Sequence, residues 1–151
     1  MSEFPFIRQL GQMDCGVVCL AMIAKYYGKT YTIQKLRDMC YVTNAGVRML
    51  GISDAAEKLG FKTIGIRVGF EKLVEIAPFP CIVHWKQVHF VVIYDIKECW
   101  VKVADPSRGL ITYTVKEFCN NWFSTEKKGE EKGIALLLEP TPAFYDKKNE
   151  K

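Results

Sequence analysis

The chain has 151 residues, enough for one domain with a core of its own. Apolar residues make up 49% and charged residues 25%, ordinary values for a globular protein that exclude a disordered body. The net charge of +4 comes from Lys and Arg scattered along the chain, which excludes a nucleic-acid footprint, and no apolar run reaches the roughly 18 residues of a membrane span.

The opening MSEFPFIRQL has no basic start followed by an apolar stretch, so no secretory signal is read and a cytoplasmic setting is expected. The six cysteines (Cys15, Cys19, Cys40, Cys81, Cys99 and Cys119) lie partly in apolar runs, as free thiols of a reducing compartment do. A first helix is predicted from Asp14, a good N-cap residue, to about Tyr27, with Gly28 as its stop. Its run VVCLAMIA is apolar all round, which predicts a helix buried at the centre of the domain. A second helix is predicted from Thr32 to about Met39 with Thr32 as cap. A third runs from about Leu50 or Ser53 to Leu59 and stops at Gly60. Phe61 to Val68 alternates as a strand, and a short helix follows over Phe70 to Ile76. The segments CIVHW, VHFVVIYDI, CWVKVAD and GLITYTV are short and rich in β-branched and aromatic residues, as strands are. VKEFCNNWF reads as a helix of about two turns and GIALLLEP as a last strand. Helices first and hairpin-connected strands after them predict an α+β domain with an antiparallel sheet over residues 1–140. The segment PTPAFYDKKNEK changes character, and 141–151 is expected to be a linker or tail.

Cys15 stands out by position. It follows the expected cap Asp14 and precedes Gly16, which puts its sulfur in the first turn of a buried helix. The positive end of the helix dipole favours a thiolate there, and a thiolate is the form that attacks a carbonyl. Gly16 is expected to leave open space beside the sulfur for a substrate backbone. The base has to be His84 or His89, the two histidines of the chain, and spacing does not choose between them. Asp105 is the best candidate to orient an imidazole: a strand from His89, a turn near Lys97 and a return strand to Asp105 form a hairpin that brings both ends together. Asp95 lies at the far end of that hairpin.

The segment QLGQMDCGVVCLAMIAKYYG closely resembles the opening of the double-glycine-leader peptidases, the N-terminal domains of ABC transporters that export bacteriocins and lanthipeptides. The likeness continues through GISDAAEKLGFK, PCIVHW, HFVVIY, VADPSRG and LLLEPTPAF, and covers about residues 6 to 144. It implies a papain-like fold and a cut after Gly-Gly in a leader peptide. It also implies Cys15 as nucleophile, His89 as general base, Asp105 as the residue orienting it, and Gln9 as a donor to the oxyanion hole. His84 then belongs to the family's His-Trp pair. The implied partners are a precursor peptide with an amphipathic, helical Gly-Gly leader and the transmembrane and nucleotide-binding domains of an exporter, which would hold the domain at the cytoplasmic face of the membrane. No cofactor is implied.

Gly-Gly has no side chains, so a slot that excludes a Cβ selects it by clash. Trp85 and the loop TNAG, with Asn44 and Gly46, are the expected slot walls. Val88 stands where many family members carry a small or amide residue and is expected at the pocket rim. Three other readings compete. Cys15-x₃-Cys19 with His84-x₄-His89 has ligand-like spacing, but about 64 residues separate the pairs, far beyond a compact metal finger, and no metal is expected. A non-catalytic leader-binding domain would not need Cys15, His89, Asp105 and Gln9 together. A papain-like amidase or acyl transferase shares the Cys, His, Asp order.

Overall fold

The computed structural model describes residues 4–43, 46–86, 89–123 and 131–146. Among them, helices α1 (Cys15–Tyr26), α2 (Ile33–Cys40) and α3 (Met49–Leu59) come first, then β1 (Phe61–Val68) and the short α4 (Phe70–Ile76). Strands β2 (Cys81–Trp85), β3 (His89–Lys97), β4 (Trp100–Asp105) and β5 (Gly109–Thr114) follow. α5 (Val115–Trp122), β6 (Gly133–Pro140) and α6 (Pro142–Asp146) complete the order. The strands form one antiparallel sheet in the order β1-β6-β2-β3-β4-β5.

The middle strands of this sheet are buried on both faces, which explains why they read as unbroken apolar runs. Ile82, Phe90, Val92, Leu136 and Leu138 point into one core, shared with α1, α2 and α3. Their neighbours Val83, Val91, Ile93, Ala135 and Leu137 point into a second, closed by Leu73 of α4 and by Phe118 and Trp122 of α5. A strand covered on both sides has no polar face to show. α1 crosses the first core with every residue from Cys15 to Ala24 buried. That burial is what an all-apolar helix needs.

Local signals fix the helix ends. The Thr32 side chain accepts from the Lys35 amide at 3.1 Å, and Gly60 ends α3 in the left-handed region at φ 106°. Asp14 stands at the N-cap of α1 as expected, yet its side chain caps nothing. Its carboxylate pairs instead with Arg37 of α2.

Gly16 is not beside open space. A Cβ there would lie 2.5 Å from Val47 Cγ1 and 2.6 Å from Ile52 Cδ1, so this glycine serves the close approach of α1 to the α3 region. The expected linker at 141–151 also differs in its described part. Residues 142–146 form α6, with Phe144 fully buried against Phe61 and Tyr27. The Thr141 amide donates to the Gly60 carbonyl at 3.0 Å and anchors this segment to the end of α3. The prolines marked a break in β6, and the apolar AFY after them supplied the reason to fold back.

Candidate active site

Three distant segments meet at the N-terminus of α1. Cys15 is its first residue and is 7% exposed. His89 opens β3, and Asp105 ends β4 at 1% exposure. The β3–β4 hairpin pairs Val92 with Ala104 and Lys97 with Trp100, so its open end carries His89 and Asp105 side by side. His89 Nε2 lies 2.8 Å from Asp105 Oδ1, and the Cys15 side chain is the imidazole's other hydrogen-bond partner. With Nε2 committed to Asp105, Nδ1 is the nitrogen left for the sulfur.

The carboxylate is held from the other side as well. Ser107 donates to Asp105 Oδ1 through both its backbone N–H and its hydroxyl, each at 2.9 Å. Burial pushes the Asp105 carboxyl up, but the hydrogen bonds from His89 and Ser107 outweigh it and hold the group below its ordinary range. Burial likewise pushes the His89 imidazole down. Its hydrogen bonds to Asp105 and Cys15, and the charges of both, overcome this and raise it from an ordinary 6.5 to about 9. His89 is thus held as an imidazolium between two acidic partners.

Gln9 reaches the same place from the N-terminal segment. Its backbone N–H donates to the Pro106 carbonyl at 2.9 Å, and Arg8 Nη1 donates to the Ser107 carbonyl at 3.0 Å. The loop before α1 is therefore stitched to the turn after Asp105. Gln9 Nε2 donates to the Gly11 carbonyl at 3.0 Å, which uses one of its two N–H groups and fixes the orientation of the other.

His84 stands apart. Its ring stacks on Phe90 with centroids 4.9 Å apart, and burial pushes its pKa down. Cys19, one turn below Cys15, is sealed in the core, and its thiol is pushed well up by burial, with the charges of Cys15 and Asp105 adding to it. Among the described residues no group of three or more His, Cys, Asp or Glu side chains converges as a metal site.

Of the expected slot walls, Trp85 pairs directly with His89 across β2 and β3. It is only 4% exposed and packs on Tyr113 and Phe118, so it backs the histidine strand and offers almost no surface to a ligand. Gly46, at φ 97°, lines a cavity of about 340 Å³ with Tyr41, Thr43, Arg48, Leu50 and Asp54, and a Cβ on it would lie 3.6 Å from the Met13 sulfur. Asn44 and Val88 lie outside the described residues.

The model of the peptidase C39 family matches residues 3–128. The chain belongs to the peptidase C39 family. The C39 domain is 40% identical over 121 residues to the lactococcin-G-processing and transport ATP-binding protein LagD of Lactococcus lactis subsp. lactis, covering 77% of this chain and 17% of that protein. It is 33% identical over 140 residues to the colicin V secretion/processing ATP-binding protein CvaB of Escherichia coli, covering 93% of this chain and 19% of that one. The chain therefore spans about a fifth of the length of these relatives. Among solved structures it resembles a double glycine motif protease from an AMS/PCAT transporter in complex with the leader peptide. That likeness has a TM-score of 0.83 and 33% identity, covering 92% of this chain and 93% of the other. The peptidase domain of Streptococcus ComA, a bi-functional ABC transporter, matches with a TM-score of 0.77 and 28% identity, covering 92% and 100% of the two chains. The α+β, papain-like architecture expected for this C39 domain is the one observed.

Sequence reasoning missed two partners of the site in this C39 domain. Ser107 was legible in principle, since a Ser two residues past an Asp in an Asp-Pro turn donates back to it. Arg37 carried no local signal, since its partner Asp14 lies 23 residues away.

Proposed function

We propose that this chain is a cysteine endopeptidase that removes leader peptides by cutting after Gly-Gly, with Cys15 as nucleophile, His89 as general base and acid, and Asp105 orienting the imidazole. The observation that carries the reading is the contact of His89 with both Cys15 and Asp105 at the tip of a buried helix. In the mechanism, Cys15 Sγ attacks the carbonyl carbon of the second glycine. The oxygen of the tetrahedral intermediate takes hydrogen bonds from the free N–H of Gln9 Nε2 and from the Cys15 backbone N–H, which a first-turn helical residue leaves without an intrahelical partner. His89 passes its proton to the leaving amine and the C–N bond breaks, leaving a thioester on Cys15. A water molecule, deprotonated by His89, then attacks the thioester and frees the leader with its terminal Gly-Gly. Asp105 keeps Nε2 engaged throughout, so Nδ1 stays toward the sulfur.

The leader, as an amphipathic helix, needs an apolar surface to dock on. The groove formed by Ile64, Ile66, Ile76, Pro78 and Leu137, flanked by Lys62 and Glu139, supplies one, and Ile64 is half exposed there. Gly46 and the cavity beside it, lined by Tyr41, Thr43 and Arg48, supply the walls that reject a side chain next to the cut. The relatives' printed roles in processing and transport support placing this domain at the cytoplasmic face of an ABC exporter.

The test is incubation of the 151-residue chain with a synthetic precursor peptide bearing a Gly-Gly leader, with products read by mass. One cut after Gly-Gly is expected in the parent and none in Cys15→Ala. His89→Ala should lose about 10²–10⁴ in rate, Asp105→Ala less, and Gln9→Ala about 10²–10³. Ile64→Glu should raise KM without lowering kcat. Binding without cutting would favour a carrier role, and cutting with Ala-Ala in place of Gly-Gly would remove the slot.

A further inference from the structure

We propose that Arg37 is a positioning residue: it draws the Asp14 carboxylate away from the N-terminus of α1, reserving the positive end of that helix for the Cys15 thiolate. The inference rests on Cys15 being the nucleophile. An Asp at an N-cap ordinarily accepts a hydrogen bond from the second or third backbone N–H of its helix. Asp14 holds the N-cap position of α1 and makes no such bond, although it is 6% exposed and needs a partner. The partner is Arg37, in the last turn of α2, whose Nη1 donates to Oδ1. The other oxygen, Oδ2, faces Gly11, where a Cβ would come within 2.9 Å of it. Gly11 also accepts the Asp14 amide at 3.2 Å and Gln9 Nε2 at 3.0 Å. One ion pair thus braces the loop that carries Gln9.

The electrostatic consequence follows from position. A free carboxylate in the cap, one residue before Cys15, would occupy the orphan N–H groups and add a negative charge beside the sulfur. Both effects oppose a second anion there. Among the described residues, the titratable groups that interact around Cys15 are His89 from β3, Asp105 behind it from β4, and Cys19 from the next turn of α1. On the α3 side, the atoms nearest a Cβ at Gly16 belong to the apolar Val47 and Ile52. Of these groups only His89 carries positive charge, and it is committed to Asp105, so Arg37 is the group that neutralises Asp14.

The test measures alkylation of Cys15 by iodoacetamide as a function of pH, with the labelled cysteine identified by peptide mass mapping. Arg37→Gln is expected to slow labelling at neutral pH about tenfold, to move the midpoint of the profile upward, and to lower kcat with KM unchanged. Adding Asp14→Asn to Arg37→Gln should return the rate to within about threefold of the parent, because the charge that Arg37 controlled is gone. A merely structural Arg37 would give no such rescue. Thermal melts come first, and if Arg37→Gln does not fold, Arg37→Met takes its place with the same expectations. A parental labelling profile in the single variant, or a double variant as slow as the single one, overturns the proposal. Labelling uses no substrate, so this outcome is separate from the parent's failing to cut a Gly-Gly peptide, which would overturn the peptidase reading instead.

Discussion

His89 holds its proton between the Cys15 sulfur and the Asp105 carboxylate, and this makes the pair a source of pH-dependent stability. The imidazole is raised from 6.5 to about 9 in the folded chain. Its contribution is therefore fully present below pH 6.5 and is lost as pH rises through about 9. Asp105 runs the other way: its carboxyl is lowered, so its contribution is present above the ordinary carboxylate range and lost in acid. The difference in Tm between the parent and His89→Asn should be largest above the ordinary carboxylate range and below pH 6.5, and should shrink toward pH 9.5, about half a unit past the folded value. Melts in matched buffers check this. A difference that grew with pH would mean that burial, not the two acidic partners, dominates at His89.

At the scale of elements, α1 is placed by close approach. Gly16→Ala gains helix propensity but drives a methyl into Val47 and Ile52. It should destabilise the domain by about 1–3 kcal/mol, the usual cost of overpacking. Ile52→Val removes the Cδ1 atom that a Gly16 Cβ would meet at 2.6 Å, so the double variant should recover part of the loss. Denaturant melts of the four proteins give the coupling directly, and additivity would show that α1 has room to shift. The β3–β4 hairpin works as an element too. Its open end brings the His89 side chain to the Asp105 carboxylate, while Ser107 and the Gln9 amide fasten the adjoining turn.

The described residues form two cores on one sheet, with the candidate site at the sheet end where β3 and β4 meet the N-terminus of α1. The first core extends past β6 to Phe144, which contacts Phe61 at a centroid distance of 4.6 Å. Phe144→Ala should cost about 3–5 kcal/mol and lower the Tm accordingly. A linker at this position would tolerate the change, so the measurement separates a terminal helix from a tail. Because α1 lies in the same core, the site should lose activity on the same thermal curve that unfolds Phe144.

Element types and most boundaries were legible in the amino acids, because they depend on near neighbours. Thr32 caps α2, Gly60 ends α3, and the apolar runs at residues 81–85 and 90–93 are strands with both faces covered. Cys15 was legible as a thiol in a first helical turn, and the hairpin from His89 to Asp105 by its length. The choice between His84 and His89 was not legible from spacing, since it turns on which ring ends up opposite the sulfur. The same holds for the pairing of Asp14 with Arg37, the packing at Gly16, the burial of Trp85 and the docking of Phe144. Each is a meeting of groups far apart along the chain, fixed by how helices and sheet close on one another, and no local pattern encodes that closure.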